Sequence, residues 1–521
     1  YQGIDYFAPT LYEGNGTGQR VGDFVPFTDA FNVANSAMFQ HDEARALSRT
    51  AGTPSSSGGK KGTWSTWYKT ANIDTDNIFF DNGTTATNRF SLQMDASGQI
   101  VFSYAGTTIL MTNADLKGGG LWRNLVLKVD TSLATASARA IMYIDGVEVT
   151  SFATDARASL TQDGELGYMD SGATQFVGSY DGSSANQWDG YFAETIFLDN
   201  QFLSADSFGQ LDTSTNKWVP KDISGLTLGD QGFYLAYGGN FGTGNGAGDS
   251  TGNSNNLTEI GTWTGGDKFV GTPTANYATL NRIIPPTPSH SSGGNAAMSQ
   301  GNLKWDVTIN STANSSFQTT SLAFQIQDGK WYYELESVDS AGGNLLTGLV
   351  DMQNFQAAGS FISDAVSGQI AYGIAGSSST TDTIFTDTTT LSGSDSPLNG
   401  ADDIDNGDVL GVYIEKSKDT YNFWFSRNGT MLVRDTSGLP IISYSRSAPM
   451  CVFVRSTNNT TKECALNFGQ QMVFDGGATT ASAATGGRWK HVPTNTAYKA
   501  LNVDNLDDTA SKITAWAWIK N

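Results

Sequence analysis

Ala140-Ile-Met-Tyr-Ile144, then Asp145-Gly146, then Val147-Glu-Val-Thr-Ser-Phe152 is the stretch that decides the fold class. Apolar, aromatic and β-branched residues fill both arms, and Asp-Gly supplies the positive φ angles of a type I′ turn, so the segment reads as an antiparallel hairpin. Outward from it, Phe90 to Met94, Ile100 to Tyr104 and Leu125 to Asp130 carry similar short strand signals inside a strand-rich run from Ala37 to about Tyr237. Several short strands at this spacing make a sandwich. The pattern returns in Phe423-Trp-Phe-Ser-Arg-Asn-Gly-Thr-Met-Leu-Val433, a hairpin with an Asn-Gly turn inside a second strand-rich region.

The 521 residues exceed what one hydrophobic core organises, so two to four units are expected. Only 16% of residues are charged, 11% are aromatic and 59 are glycine, a mixture that favours strands and tight turns over helices. The fold class is therefore all-β: two tandem β-sandwich domains with a Gly/Ser/Pro-rich connector. A net charge of -21 repels phosphate backbones, so no nucleic acid partner is expected. No apolar run approaches the ~18 residues of a membrane-spanning helix, so no membrane insertion is expected either. The chain starts at Tyr1 without an initiator Met or a leader, which reads as a removed leader or a fragment.

Composition divides the chain into an N-terminal arm (1–30), a first sandwich (31–237), a connector rich in Gly, Asn and Pro (238–300), a second sandwich (301–474), and a linker with the start of a further module (475–521). Cys451 and Cys464 are the two cysteines. A symmetric hairpin centred between Thr457 and Asn458 would set their sulfurs opposite one another, leaving two readings: a cross-strand disulfide or a pair of reduced core thiols.

Two families are resembled at specific motifs. Trp64-Ser-Thr-Trp67, Trp122-Arg-Asn-Leu-Val-Leu-Lys128, Tyr143-Ile-Asp-Gly146 and Gly190-Tyr-Phe-Ala-Glu-Thr-Ile-Phe-Leu198 make residues 31–237 resemble a concanavalin A-like jelly roll of the laminin-G type. Gly329-Lys-Trp-Tyr-Tyr-Glu-Leu-Glu336, Gly407-Asp-Val-Leu-Gly-Val412, Asn428-Gly429 and Ala465-Leu-Asn-Phe-Gly469 make residues 301–474 resemble a SPRY-like sandwich. The combination is similar to bacteriophage tail-fibre and tail-associated adhesins. That resemblance implies a virion-surface, extracellular protein that contacts other virion proteins and binds host-surface glycan or protein. It also implies a homo-oligomer, commonly a trimer.

Catalysis must be read from residues, because concanavalin-like folds also host glucanases. Those supply paired carboxyls from one strand as Glu-x-Asp-x-x-Glu or Glu-x-Asp-x-Glu, and neither string occurs. Glu334-Leu-Glu336 puts two carboxylates on one strand face but lies in the SPRY-like part. His41, His290 and His491 sit in separate segments without a nucleophile elbow. No cofactor is expected. Calcium stays a candidate at Asp402-Asp-Ile-Asp-Asn-Gly-Asp408, at Asp74 and Asp76, or at Asp181.

The binding site is read in the loop Ser179-Tyr-Asp-Gly-Ser-Ser-Ala-Asn-Gln-Trp188. Sugar recognition stacks an aromatic face on a pyranose ring and forks polar groups onto its hydroxyls, and Tyr180, Trp188, Asp181 and Asn186 supply that set. The competing reading has Trp188 plugging the end of the sandwich while the polar residues only build turns. The expected function is a non-enzymatic adhesin. A purely structural decoration protein and a polysaccharide depolymerase are the alternatives.

Overall fold

The computed structural model describes residues 31–506, apart from 56–57, 72–75, 83–87, 118–119, 168–171, 183–185, 213–216, 245, 282–294, 309–315, 321–323, 340–343, 352–368, 376–381, 387–389, 392–403, 433–439, 457–461, 472, 475–476, 479 and 483. The N-terminal arm, the final strand-like stretch after 506, Asp74, Asp402, Asp403 and His290 lie outside the described residues. The chain forms two compact units, one ending at Asn276 and one starting at Tyr277. Both are all-β, and the regular helical segments described are single 3-10 turns.

The first unit contains β1 (Ser36–Phe39), β2 (Ala46–Thr50), β3 (Lys61–Thr70), β4 (Asn77–Asp81), β5 (Phe90–Met94), β6 (Ile100–Tyr104), β7 (Thr107–Thr112), β8 (Arg123–Asp130) and β9 (Ala140–Ile144). It continues through β10 (Val147–Glu148), β11 (Phe152–Asp155), β12 (Thr174–Val177), β13 (Gly190–Asp199), β14 (Gly209–Asp212), β15 (Lys217–Pro220), β16 (Phe233–Leu235), β17 (Thr258–Ile260) and β18 (Lys268–Phe269). One sheet runs β10-β9-β8-β3-β13-β1-β18, with β16 also on β13, and the other runs β11-β7-β6-β5-β4-β12-β2-β17.

Asp145 (φ 49°) and Gly146 (φ 78°) make the expected turn, pairing Ile144 with Val147. The second arm is shorter than expected. After Glu148 the chain leaves for the opposite sheet, where Phe152 pairs with Thr112.

β3 shows how both faces of a sheet become buried. Trp64 and Tyr68 enter the aromatic core between the sheets with Phe79, Phe80 and Phe197. Trp67 faces the other way, against Val33 and Ala193, and the neighbouring outer surface is closed by Phe208, Ile223 and Leu228. A strand covered on both faces loses the polar-out alternation of a half-buried one.

Residues 238–276, read from composition as connector, are part of the first unit. β17 pairs with β2 and β18 with β1. Phe241 and Trp263 stack at 4.5 Å inside the core. The Glu259 carboxylate accepts the Gly242 and Gly246 N–H groups, tying down glycines that composition alone marks as loose.

The second unit contains β19 (Asn295–Ser299), β20 (Lys304–Thr308), β21 (Ser316–Thr319), β22 (Gly329–Asp339), β23 (Asn344–Asp351), β24 (Gln369–Ala375), β25 (Thr383–Thr386) and β26 (Thr390–Leu391). β27 (Val409–Ser417), β28 (Thr420–Arg427), β29 (Thr430–Met431), β30 (Ile442–Ser445), β31 (Met450–Ser456) and β32 (Lys462–Asn467) follow. Its sheets run β19-β20-β32-β22-β27-β28-β29, with β30 on β28, and β21-β31-β23-β24-β25-β26. Tyr333 reaches from β22 to Thr347 of β23, hydroxyl to hydroxyl at 3.0 Å, so alternate residues of β22 face inward.

β31 and β32 lie in opposite sheets, which overturns the cysteine hairpin. Cys451 pairs with Val350 and Cys464 with Trp305. Neither forms a disulfide and both are buried, so the disulfide reading is corrected to reduced core cysteines. Burial pushes Cys451 up to about 12 and Cys464 higher still, removing thiolate character from both.

Residues 485–501, read as linker, pack on the outer face of β22 and β27. Lys499 donates its N–H to the Lys330 carbonyl, and Trp489 sits edge-on to Tyr332 at 4.8 Å.

Candidate functional site

The loop from β12 to β13 crosses from one sheet to the other at an end of the first unit. Its neck is closed by the Trp188 N–H on the Gly178 carbonyl (2.8 Å) and by the Asp189 N–H on the Asn77 side-chain oxygen (2.9 Å). Gly178 turns at φ 80°, and a Cβ there would lie 2.5 Å from a Phe39 ring carbon, so only glycine fits.

The hairpin from β4 to β5 supplies the other half of the site. Asn82 clamps its base, accepting the Phe90 N–H at 3.0 Å and donating to the Asn88 carbonyl at 3.1 Å. Arg89 forks onto Asp81, Nε to Oδ2 at 3.0 Å and Nη2 to Oδ1 at 2.9 Å. Asp81 has no solvent exposure, so this two-point pairing offsets the cost of burying its charge. The same guanidinium lies over the Tyr180 ring and donates to the Tyr180 carbonyl.

Three of the four residues read from sequence stay at this rim. Tyr180 is half-buried with one ring face taken by Arg89, Asp181 is exposed, and Asn186 is half-buried in a left-handed conformation (φ 55°). Trp188 does not belong to the site. It is fully buried, 4.6 Å from Phe192 and 4.5 Å from Phe79, with Tyr68 edge-on at 5.7 Å. Its place as a ligand platform is therefore corrected to a core plug.

Sequence reading missed Asp81 and Arg89. The local signal was opposite charges at the two feet of one hairpin, and their approach to Tyr180 follows from the pairing of Phe176 with Asp81.

A buried acid stands on the other sheet. Between Ala193, paired with Trp67, and Ile196, paired with Ser65, β13 bulges, and Glu194 takes φ 49° there. Glu194 accepts the Tyr234 hydroxyl at 2.7 Å. Desolvation pushes its carboxyl up to about 7, opposed by that hydrogen bond and assisted by Asp222. Hydrolysis of a glycoside needs a second carboxyl across the bond. Asp222 is committed to a turn, its two oxygens accepting the Ser224 N–H (2.8 Å) and hydroxyl (3.0 Å).

The Glu334–Glu336 pair shares one face of β22 as expected, but Glu334 is fully buried and enclosed by donors. Oε1 accepts the His491 N–H (2.6 Å) and the Tyr332 hydroxyl (3.2 Å); Oε2 accepts the Lys490 N–H (3.0 Å) and the Asn467 amide (2.8 Å). This carboxyl anchors the 485–501 segment.

Three of the carboxylates read as calcium candidates, Asp76, Asp405 and Asp408, are engaged by protein groups. Asp405 and Asp408 both bind Arg427, Asp408 also accepts the Asn428 amide, and Asp76 accepts the Ala96 N–H. Among the described residues, no group of three or more His, Cys, Asp or Glu side chains is placed to hold a metal ion. Among them, too, no helix is long and apolar enough to cross a membrane.

Residues 48–199 match the family model described as the concanavalin A-like lectin/glucanases superfamily. The first unit has a concanavalin A-like fold. Solved structures resemble the chain only distantly. A Bacteroides ovatus protein provisionally assigned to carbohydrate binding is 13% identical, over 45% of this chain and 60% of that one (TM-score 0.32). Domains LG4-5 of the mouse laminin α1 chain are 11% identical, over 90% and 97% (TM-score 0.27). The CBM40 of a Ruminococcus gnavus IT-sialidase, bound to α2,3-sialyllactose, is 14% identical, over 31% and 94% (TM-score 0.23). The chain thus spans less than two thirds of the Bacteroides protein. No curated protein matches the sequence. The concanavalin A-like match includes β12, β13 and the whole rim loop between them.

Proposed function

We propose that the protein is a non-enzymatic adhesin of a bacteriophage virion, in which the rim of the concanavalin A-like unit binds a host-surface glycan or protein. One observation carries this reading: the exposed Asp181 lies in a loop braced from below by the Asp81–Arg89–Tyr180 stack. A polar group held on a rigid support is pre-organised for recognition, because little conformational freedom is lost on binding. With one Tyr180 face occupied, any ring stacking uses the other face, and hydroxyl contacts fall to Asp181 and Asn186.

The second unit supports a SPRY-like reading. The resembling motifs fall on β22, β27, the β28–β29 turn and β32, and β32, β22 and β27 are adjacent in one sheet. A tail fibre or tail-associated position, contacts with other virion proteins, and a homo-oligomer such as a trimer complete the proposal. Tethered copies raise avidity by ~100-fold or more without new contacts, so weak single sites suffice.

The test is binding to intact host cells and to a glycan array by the full chain and by the Asp181→Ala/Asn186→Gly double variant. Glycine keeps the positive φ at position 186. Binding lost in the variant at an unchanged melting temperature is the expected result; equal binding by both proteins, or none by the wild type, contradicts it.

A further inference from the structure

β28 alternates across the second unit's larger sheet. Phe423 and Phe425 are buried inward, while Asn422 and Trp424 fall on the outer face and are partly exposed. The other described tryptophans of this unit, Trp305, Trp331 and Trp489, are buried. Among the described residues, the Trp424 indole has no ring contact and no side-chain hydrogen bond.

Polar groups frame that indole. Strand register puts Tyr413 across from Trp424, and Glu415 on one side and Ser443 on the other side of Asn422. Ser443 donates its hydroxyl to Asn422 Oδ1 at 2.6 Å, and among the described residues the Asn422 Nδ2 group has no acceptor. Tyr498 closes one side, edge-on to Tyr413 at 5.0 Å and donating its hydroxyl to Glu415 Oε1 at 3.0 Å. Lys330 pairs with the same Glu415 oxygen, and no described group occupies Oε2.

We propose that this face is a second recognition site, one for a neutral hexopyranose glycan. Trp424 provides the stacking surface for a sugar ring. Asn422 Nδ2 donates to sugar hydroxyls, Glu415 Oε2 accepts from them, and the Ser443 oxygen accepts as well. Positions i and i+2 on one strand face are ~7 Å apart, so Asn422 and Trp424 can address one ring and its substituents together. Lys330 balances the Glu415 charge, and the free carboxylate edge disfavours an acidic sugar. One indole in a polar frame also falls far short of the ~800 Å² per side of a stable protein interface.

The site does not depend on the rim of the concanavalin A-like unit. The test is affinity electrophoresis of the full chain in gels containing dextran, mannan, laminarin or alginate. At least one of the three neutral polymers is expected to retard the wild type, with affinity weakened about tenfold or more in Trp424→Ala. The Asp181→Ala/Asn186→Gly variant is expected to be retarded on that polymer like the wild type, which separates the two sites. Circular dichroism and melting check that Trp424→Ala is folded, and Asn422→Ala provides a second, less disruptive probe. No retardation by any neutral polymer, retardation by alginate alone, or equal retardation of folded Trp424→Ala and of Asn422→Ala overturns the proposal.

Discussion

Trp188→Ala is expected to lower the melting temperature of the concanavalin A-like unit by about 10 °C or more. Removing a fully buried tryptophan forfeits its transfer energy and opens a cavity, together ~3–5 kcal/mol. In a unit of this size each kcal/mol shifts the midpoint by ~2–4 °C. Scanning calorimetry of wild type and variant gives the shift directly. If binding is lost while the midpoint stays put, Trp188 contacts the ligand and the core-plug assignment fails.

The two buried glutamates are expected to respond differently to the same change. Both carboxyls are pushed up to about 7, chiefly by desolvation, so at pH 5 each holds its proton in the fold. Glutamine then replaces one neutral group by another. At Glu194 the amide oxygen keeps the Tyr234 hydroxyl, and stability at pH 5 changes little. At Glu334 each oxygen faces a backbone N–H, so either amide orientation turns an NH2 against a donor. That conflict costs about 2–3 kcal/mol, or about 5–10 °C in the second unit.

The pH dependence completes the contrast. A folded pKa raised above the ordinary 4.5 gives stability that is fully present below about 4.5 and lost as pH rises to about 7. Glu194→Gln therefore flattens the decline between pH 5 and 8 and is more stable than wild type at pH 8. Melting curves for both variants across that range decide it. Equal shifts for the two variants at pH 5, or an unchanged slope in Glu194→Gln, would contradict these assignments.

Local chemistry made much of the fold legible. Asp145-Gly146 and Asn428-Gly429 each announced a hairpin because the turn demands positive φ at both positions. Trp64, Trp67 and Tyr68 announced a strand, although no local signal says that β3 is covered on both faces. Where the reading went astray, the cause was non-local. The Cys451 and Cys464 strands looked like one hairpin because their spacing is symmetric, yet the intervening chain changes sheets. The glycine-rich stretch after Tyr237 looked like a linker because composition does not register Phe241 and Trp263 stacking in a core.

The site follows the same division. Tyr180, Asp181 and Asn186 were legible as turn-forming polar groups between strands, but an aromatic beside them reads equally well as platform or plug. Trp188 became a plug because Phe79 and Phe192 come from distant strands. Arg89 and Asp81 became the brace of the loop only once β4 paired with β12. Trp424 was in plain view within the second hairpin, and its exposure depends on which outer strips the 485–501 segment leaves uncovered.

The proposed function is recognition without bond cleavage. Its most direct test is to incubate the full chain with surface polysaccharide from host cells and follow both co-elution and polymer length by size-exclusion chromatography. Protein eluting with polymer of unchanged length is the expected result. Shortened polymer, or protein that never elutes with it, would contradict it.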